Sequence, residues 1–225
     1  MTSRSRVPVL VGLFLATLAL WDTPVVYPVK VLVVLFHEIS HGLAALLTGG
    51  RVEHVTLSAD LGGVMTSRGG WPLVILPAGY LGSMAWGAAL LLGAAWSARR
   101  RLLSLLLGAL LLGITLVYVR SLFGFGWGLV FGFGLLFLGA KLPEPLNDLV
   151  LSFVGLTSML YSVLDIRDDL ISRTVPQSDA AVFSQYVPLP PVVWGVLWGA
   201  VALAASAWAL RKAAGPPPWA GGEEG

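Results

Sequence analysis

The sequence predicts an all-α polytopic membrane protein with six or seven transmembrane helices and one short β-hairpin. Of its 225 residues, 56% are hydrophobic and 12% are charged, which is about half the charged share of an average soluble domain. The mean hydropathy is +0.83. The hydrophobic residues also fall in uncharged runs of about 20, the length that a helix needs to cross a bilayer. So few charges cannot cover a water-soluble globule, which excludes soluble enzymes and disordered chains.

Charge balance and cysteine content narrow the function further. The formal net charge of +2 is too small to indicate a polyanion, so no nucleic-acid partner is expected. The chain has no cysteine, which excludes disulfides, thiolate metal sites and cysteine nucleophiles. We therefore expect a multi-pass integral protein, of the cell membrane, with the lipid bilayer as a partner. The oligomeric state stays open.

The N-terminal region predicts two helices. The first apolar run, residues 7–21, follows Arg4 and Arg6. It has no small-residue cleavage site after it, so we interpret it as a retained helix and not as a signal peptide. The second run, residues 29–47, ends at Thr48-Gly49-Gly50, where the glycines are typical of a helix terminus.

Residues 51–65 have a different character. The stretch RVEHVTLSADLGGVM is partly alternating and rich in β-branched residues, which predicts a β-hairpin. Because open strand edges cannot face lipid, we expect the hairpin at the membrane interface or inside a protein-lined cavity.

Five further spans complete the predicted bundle. They cover residues 69–98, 102–119, 121–140, 146–164 and 192–210. The FGFGWGLVFGFG pattern in the third of them indicates either close helix packing or a broken, re-entrant helix. Lys and Arg counted on alternate sides of seven spans give a tie, so the positive-inside rule does not orient the chain.

The domain organisation is simple. Residues 1–214 are expected to form a single transmembrane domain. Residues 215–225, GPPPWAGGEEG, are expected to form a disordered C-terminal tail.

The second span contains the sequence His37-Glu38-Ile39-Ser40-His41, an HExxH motif. On a helix the two histidines lie on one face, one turn apart, and both imidazoles can reach one zinc ion (Zn2+). Glu38 can take a proton from a zinc-activated water as general base and deliver it to a leaving amine. Ionisable residues inside a span mark a functional site by default. A structural role, with these side chains pairing between helices, is the alternative.

Two histidines leave a catalytic zinc site one protein ligand short. The candidates for the third are Asp165, Asp168, Asp169, His54, Asp60 and Asp22. Asp165 is favoured because it directly follows an apolar span. Asp168 and Asp169 are alternatives, since they share a helix face with Asp165 if the helix continues. For at least two of these three acids, a solvated helix end beside Arg167 is the competing interpretation.

Two other polar residues, His54 and Asp179, have structural interpretations of their own. His54 is expected to be an interfacial side chain of the hairpin and not a ligand. Asp179, in Ser178-Asp179-Ala180, is predicted to be a helix N-cap, with a role in the metal site as the alternative.

Three stretches resemble the site-2 protease family of intramembrane zinc metallopeptidases. In HEISHGLAALLTGGRVEHVTLSADLGGVM, as in that family, an HExxH helix is followed by a glycine turn, a β-hairpin and a Gly-Gly pair. LPAGYLGSMAWGA is similar to the start of the family's next core helix, with Tyr80 and Ser83 in place of Pro and Asn. YSVLDIRDDLISR and the later QSDAAVF are similar to the compact B-like branch, which carries an acidic helix end followed by Ser-Asp-Ala.

The resemblance implies hydrolysis of peptide bonds in a membrane-anchored protein substrate. It implies His37 and His41 as zinc ligands and Glu38 as the catalytic base. The family's Asn-Pro stretch leading to Asp-Gly is absent, so Asp165 rests on its position alone. The hairpin matches the element that lines the substrate channel in the family, and its strand edge can pair with an extended substrate. No substrate-binding residue is assigned.

A second class of function stays open. The chain is alternatively a non-proteolytic membrane scaffold, a chaperone-like binder or a metal-binding protein that retains the site. A transporter is disfavoured because charged residues are too sparse to line a polar pathway. Glu38 separates the classes, since a purely structural metal site needs no base.

Overall fold

The computed structural model describes residues 3–168 and 178–217, which form a helical bundle with one hairpin. The helices are α1 (Ser3–Ala19), α2 (Tyr27–Leu47), α3 (Pro72–Trp96), α4 (Arg100–Tyr118), α5 (Leu122–Lys141), α6 (Glu144–Arg167), α7 (Asp179–Phe183) and α8 (Pro191–Ala214). The strands are β1 (Arg51–Leu57) and β2 (Gly63–Arg68). The predicted fold class is confirmed.

Six of the described helices, α2 to α6 and α8, are long and apolar enough to cross a membrane. The apolar part of α1 is shorter. Helix α2 is the most enclosed of the six: 78% of its most apolar window is buried, against 22% for α8. The chain is therefore an integral multi-pass membrane protein in which the helix with the HExxH motif lies at the centre.

Helix α2 is central because its apolar residues pack on several neighbours. Val33, Leu35 and Phe36 are fully buried, and Phe36 stacks on Trp86 of α3 at a ring distance of 5.4 Å. The helix ends at Leu47, and Gly49, just beyond its cap, has a φ of 84°, in the left-handed region that glycine adopts after helix ends. The chain then turns directly into β1.

The hairpin is antiparallel, and its two strands have different surroundings. Val55 pairs with Met65, and Leu57 pairs with Gly63. The outer edge of β1 is covered, because Arg120 N donates to Val55 O at 2.9 Å and Leu57 N donates to a serine hydroxyl of the α4–α5 turn. Val55 and Leu57 thus direct backbone groups away from β2. In an antiparallel pair, opposite residues direct their backbone groups to opposite sides of the ladder or both into it, so Met65 and Gly63 direct their N–H and C=O groups away from β1. The outer edge of β2 therefore faces α2, where Glu38 bonds to the Met65 backbone.

The glycines of α5 serve close helix packing. A Cβ at Gly128 would lie 2.7 Å from the Thr115 methyl group, and one at Gly132 would collide with Leu112 of α4. In the opposite direction, a Cβ at Gly108 would lie 2.8 Å from Gly132 O. Because α5 is one continuous helix, the re-entrant alternative is wrong and the close-packing interpretation is correct.

Candidate metal centre

The two histidines of α2 are fixed next to each other inside the protein. The ring centroids of His37 and His41 lie 4.7 Å apart. The Nδ1 atom of His41 lies 2.7 Å from Ile75 O. A carbonyl oxygen only accepts, so Nδ1 carries the proton and donates it. The lone pair of His41 Nε2 is therefore available to a metal, in the arrangement that metal-binding histidines commonly show.

The Asp179 carboxylate lies close to both rings. Its Oδ2 atom lies 3.1 Å from His37 Nε2 and 3.2 Å from His41 Nε2. Burial raises the pKa of Asp179, but the charge and hydrogen bonds of His41 and His37 in their protonated forms lower it by a larger amount, so the net pKa lies below its usual range. A carboxylate binds a metal in its ionised form, and metal binding takes the place of the protons on the two Nε2 atoms.

The predicted role of Asp179 as an N-cap is wrong. The cap of α7 is Ser178, whose Oγ accepts a hydrogen bond from Ala181 N at 3.3 Å. Asp179 is the first residue of the helix, one position inside the cap. Its carboxylate reaches the two histidines.

An aromatic slot, formed by Tyr80, Trp194 and Trp198, holds α7 in place. Phe183, at the end of α7, lies in this slot with ring distances of 4.7 Å to Trp194 and 5.3 Å to Trp198. Tyr80 packs on Trp198 at 5.9 Å, and its ring lies perpendicular to the His37 ring at 5.1 Å. The same slot therefore contacts both the helix that carries Asp179 and one of the two imidazoles.

The backbone of α3 passes directly against the imidazoles at Gly79. A Cβ at this position would lie 2.5 Å from His37 Cε1 and 2.5 Å from His41 Nε2. Any side chain here would fill the space in front of the two rings. Because glycine has no side chain, a small space stays open beside the Nε2 atoms of His37 and His41.

The donor set fits a zinc ion. One donor atom each from His37, His41 and Asp179 lies within 4.8 Å of the others. In a tetrahedral zinc site with bonds of about 2.0–2.1 Å, neighbouring ligand atoms lie about 3.3 Å apart. The separations of 3.1 and 3.2 Å between Asp179 and the two imidazoles are close to that value. Two imidazoles and one carboxylate also match a ligand combination known from catalytic zinc sites, with a fourth position left open.

Glu38 lies beside this cluster, against the hairpin. Its side chain is buried, with a relative exposure of 4%, and a Cβ at Gly63 of β2 would lie 2.5 Å from Glu38 Oε1. Glu38 and the three donors line one cavity of about 560 Å³. The outer edge of β2 contributes Gly63 and Met65 to the wall of the same cavity.

The acids that the sequence proposed as a third ligand occupy different places. Asp165, the favoured candidate, lines the cavity, but the described donor group within 4.8 Å contains Asp179 in its stead. Asp168 forms an ion pair of 2.8 Å with Arg167. Asp169 lies outside the described residues. Asp165 and Asp179 therefore line the same cavity as the two histidines, the donor group of the described residues contains Asp179, and Asp165 as a ligand stays a prediction from the sequence.

The remaining candidates are not in the donor group of the described residues. His54 Nε2 lies 3.3 Å from Thr66 Oγ1 across the hairpin. Asp60 is exposed and bonds to Ser58 in the hairpin turn. Asp22 lies 3.7 Å from Lys30 Nζ.

The fold and the donor cluster define a multi-pass membrane protein with a His-His-Asp group compatible with a metal. A family model described as "Peptidase M50B-like" matches residues 10–209, which is most of the chain. The protein belongs to this family, the site-2 protease family, whose members are membrane metallopeptidases. The resemblance noted in the sequence is thus confirmed. The searches of curated proteins and of solved structures gave no match.

Proposed function

We propose that this protein is an intramembrane zinc metallopeptidase that hydrolyses peptide bonds of membrane-anchored substrates. His37, His41 and Asp179 hold the zinc ion, and Glu38 is the general base. The observation that carries the proposal is that three metal-binding donors and one further buried carboxylate line a single cavity. Membership of a metallopeptidase family supports the same conclusion.

The zinc ion, His41 and Glu38 have separate roles in the proposed reaction. A bound zinc ion supplies Lewis acidity, which lowers the pKa of water and polarises a carbonyl group. The hydrogen bond from His41 to Ile75 O fixes the tautomer that binds metal. Glu38 takes the proton of the attacking water and later donates it to the leaving amine. Burial of Glu38 beside Gly63 limits the positions that its carboxylate can adopt.

The hairpin supplies a means of holding the substrate. Gly63 and Met65 line the cavity and direct backbone groups away from β1, and an extended peptide that replaces the bond between the Met65 amide and Glu38 can pair with the outer edge of β2. A helical segment hides its carbonyls in its own hydrogen bonds. We therefore propose that the substrate is extended where it meets β2, which brings its backbone next to Glu38.

Activity and zinc content of purified protein in liposomes test this proposal. We expect Glu38→Gln to keep its zinc and to lose cleavage of a membrane-anchored peptide by about 100-fold or more, as is typical for removal of a general base. Glu53→Gln is the matched control, since Glu53 lies on β1 and pairs with the exposed Arg68. Glu53→Gln should keep its zinc and cleave the peptide at the wild-type rate.

Two results would overturn the proposal. Cleavage by Glu38→Gln at the wild-type rate would remove Glu38 from the mechanism. Wild-type protein that binds zinc stoichiometrically and cleaves none of a panel of membrane-anchored peptides would instead support the metal-binding scaffold.

A further inference from the structure

The turn between α4 and α5 adds a third backbone segment beside the hairpin. Val119, in this turn, forms an isolated parallel bridge with Val55 of β1, and Arg120 N donates to Val55 O at 2.9 Å. Both valines are almost fully buried, with relative exposures of 2% for Val55 and 1% for Val119. At Val55, the outer edge of β1 is therefore bonded to the α4–α5 turn.

Ser121 joins β1 to the first turn of α5. Its hydroxyl oxygen accepts hydrogen bonds from Leu57 N at 2.8 Å and from Gly124 N at 3.2 Å, which the two lone pairs of a hydroxyl allow. A Cβ at Gly124 would lie 2.9 Å from Leu57 Cδ1, so the backbone of α5 packs directly on the Leu57 side chain. One serine thus caps α5 and holds the last residue of β1.

The α4–α5 turn is itself fixed to both of its helices. The guanidinium of Arg120 donates to Val119 O at 3.0 Å and to Val117 O in the last turn of α4. A basic side chain that bonds the last carbonyls stabilises the end of a helix. On the other side, Ser121 caps α5. The turn is therefore a well-anchored support for a strand.

The register of the hairpin connects this support to Glu38. Val55 pairs with Met65, and the Met65 amide bonds to the Glu38 carboxylate. Leu57 pairs with Gly63, where a Cβ would lie 2.5 Å from Glu38 Oε1. The two residues of β1 that the turn holds are thus the partners of the two residues of β2 that contact Glu38.

The position of such a hairpin depends on its neighbours, because two strands alone are at best marginally stable. Here β1 is bonded to the α4–α5 turn on one side, and β2 meets Glu38 on the other side. Neighbouring strands stay about 4.8 Å apart. A shift of β1 away from the turn therefore moves the outer edge of β2 relative to Glu38.

We propose that Ser121 is a positioning residue, which acts through Leu57 and Gly63 to hold the outer edge of β2 against Glu38. Ser121 is not one of the described residues that line the cavity, so it acts through the strands and not by contact with a substrate. The catalytic consequence rests on the proposed peptidase function. The position of β2 is a property of the fold and can be measured without any cleavage.

Hydrogen exchange of the Met65 amide measures the position of β2, because this amide bonds to Glu38 and not to β1. In purified Ser121→Ala, we expect the Met65 amide to exchange about 10-fold faster than in wild type, as is typical when one hydrogen bond that holds a local structure is lost. Ser121→Thr keeps a hydroxyl at this position and should exchange at close to the wild-type rate.

Ser97→Ala is the matched control. Ser97 Oγ accepts from Arg99 N at 2.9 Å in the turn between α3 and α4, at the other end of α4, so the same chemical change removes one bond far from the hairpin. Ser97→Ala should leave the exchange of Met65 unaltered. Unaltered exchange in Ser121→Ala would overturn the proposal, as would faster exchange throughout α2, α3 and α6.

Kinetics in liposomes test the consequence for catalysis. We expect Ser121→Ala to keep the zinc content of the wild type and to lower kcat per zinc-loaded chain by about 10-fold, since small misplacements of reacting groups slow a reaction strongly. Ser121→Thr should restore kcat. A role in packing alone would reduce the yield of folded protein and leave kcat per zinc-loaded chain unchanged, and that result would overturn the positioning role.

The two measurements separate this inference from the proposed function. If the wild-type protein cleaves no membrane-anchored peptide, the proposed function fails, and the exchange rates of Met65 still decide whether Ser121 positions β2. If the wild type cleaves and Ser121→Ala matches it in both kcat and Met65 exchange, the proposed function stands and the role of Ser121 is refuted.

Discussion

Asp179 Oδ2 lies 3.1 Å from His37 Nε2, although 142 residues separate the two in the chain. The contact joins the most enclosed helix of the bundle to a helix of five residues. Helix α7 is too short to keep its position by itself, so its packing on α3 and α8 must place the carboxylate. The proposed metal centre therefore depends on side chains that never touch the metal as well as on the three donors.

Gly79 tests whether the space in front of the imidazoles is needed for the metal. Gly79→Ala places a methyl group within 2.5 Å of His41 Nε2, which forces the imidazoles away from their present positions. We expect purified Gly79→Ala to contain less than about a tenth of the wild-type zinc, since ligands displaced by a few tenths of an ångström no longer meet zinc distances. Elemental analysis measures this directly.

Gly113→Ala is the matched control for that variant. Gly113 lies within α4, and a Cβ there would meet nothing within 4 Å, so the same chemical change should leave the zinc content unaltered. Equal zinc loss in both variants would mean that glycine replacement harms the bundle in general. Full zinc in Gly79→Ala would mean that the open space at Gly79 is not required for zinc binding.

Gly63 tests the position of the general base separately from the metal. A Cβ at Gly63 would lie 2.5 Å from Glu38 Oε1, so Gly63→Ala should push the Glu38 carboxylate aside while His37 and His41 stay in place. We expect kcat/KM to fall by about 100-fold, the usual contribution of a positioned base, with zinc content unchanged. Unaltered kcat/KM would show that contact with β2 does not position Glu38.

Replacement of Phe183 tests whether the aromatic slot positions Asp179. Phe183→Ala removes the ring that lies between Trp194 and Trp198, and α7 then loses its anchor on α8. We expect the zinc dissociation constant to rise by about 10- to 100-fold, as is typical when a residue that orients a ligand is lost. Phe183→Leu keeps most of the apolar volume and should recover much of the affinity.

Chelator competition measures these affinities, and thermal unfolding of zinc-free protein serves as the reference. A positioning role predicts a loss of zinc affinity that is larger than any loss of stability in the zinc-free state. If zinc affinity is unchanged while the zinc-free protein is destabilised, Phe183 contributes to packing only.

Much of the fold was predictable because its signals are local. Apolar runs of membrane length predicted α2 to α6 and α8, and the alternating stretch after Gly50 predicted the hairpin. The HExxH spacing placed His37, Glu38 and His41 on one helix, since i and i+4 neighbours share a face. None of these predictions needed knowledge of which helices pack together.

The position of Asp179 could not be predicted in the same way. The sequence predicted Asp179 as the helix N-cap, and only the folded structure shows that Ser178 takes the cap and that Asp179 contacts the histidines. Asp165 was favoured because it ends a span, but proximity to a span does not decide which carboxylate meets two imidazoles. The role of Gly79 was hidden for the same reason, since a close approach between α2 and α3 exists only in the folded bundle.

The most direct test of the proposed centre compares the zinc content of Asp179→Asn and Asp165→Asn. Both variants neutralise one carboxylate of the same cavity, so each serves as the control for the other. The amide of Asn is a poor zinc ligand, and elemental analysis of the purified proteins counts zinc per chain. We predict that Asp179→Asn loses most of its zinc and that Asp165→Asn keeps it. Full zinc in Asp179→Asn together with zinc loss in Asp165→Asn would contradict the His37-His41-Asp179 centre.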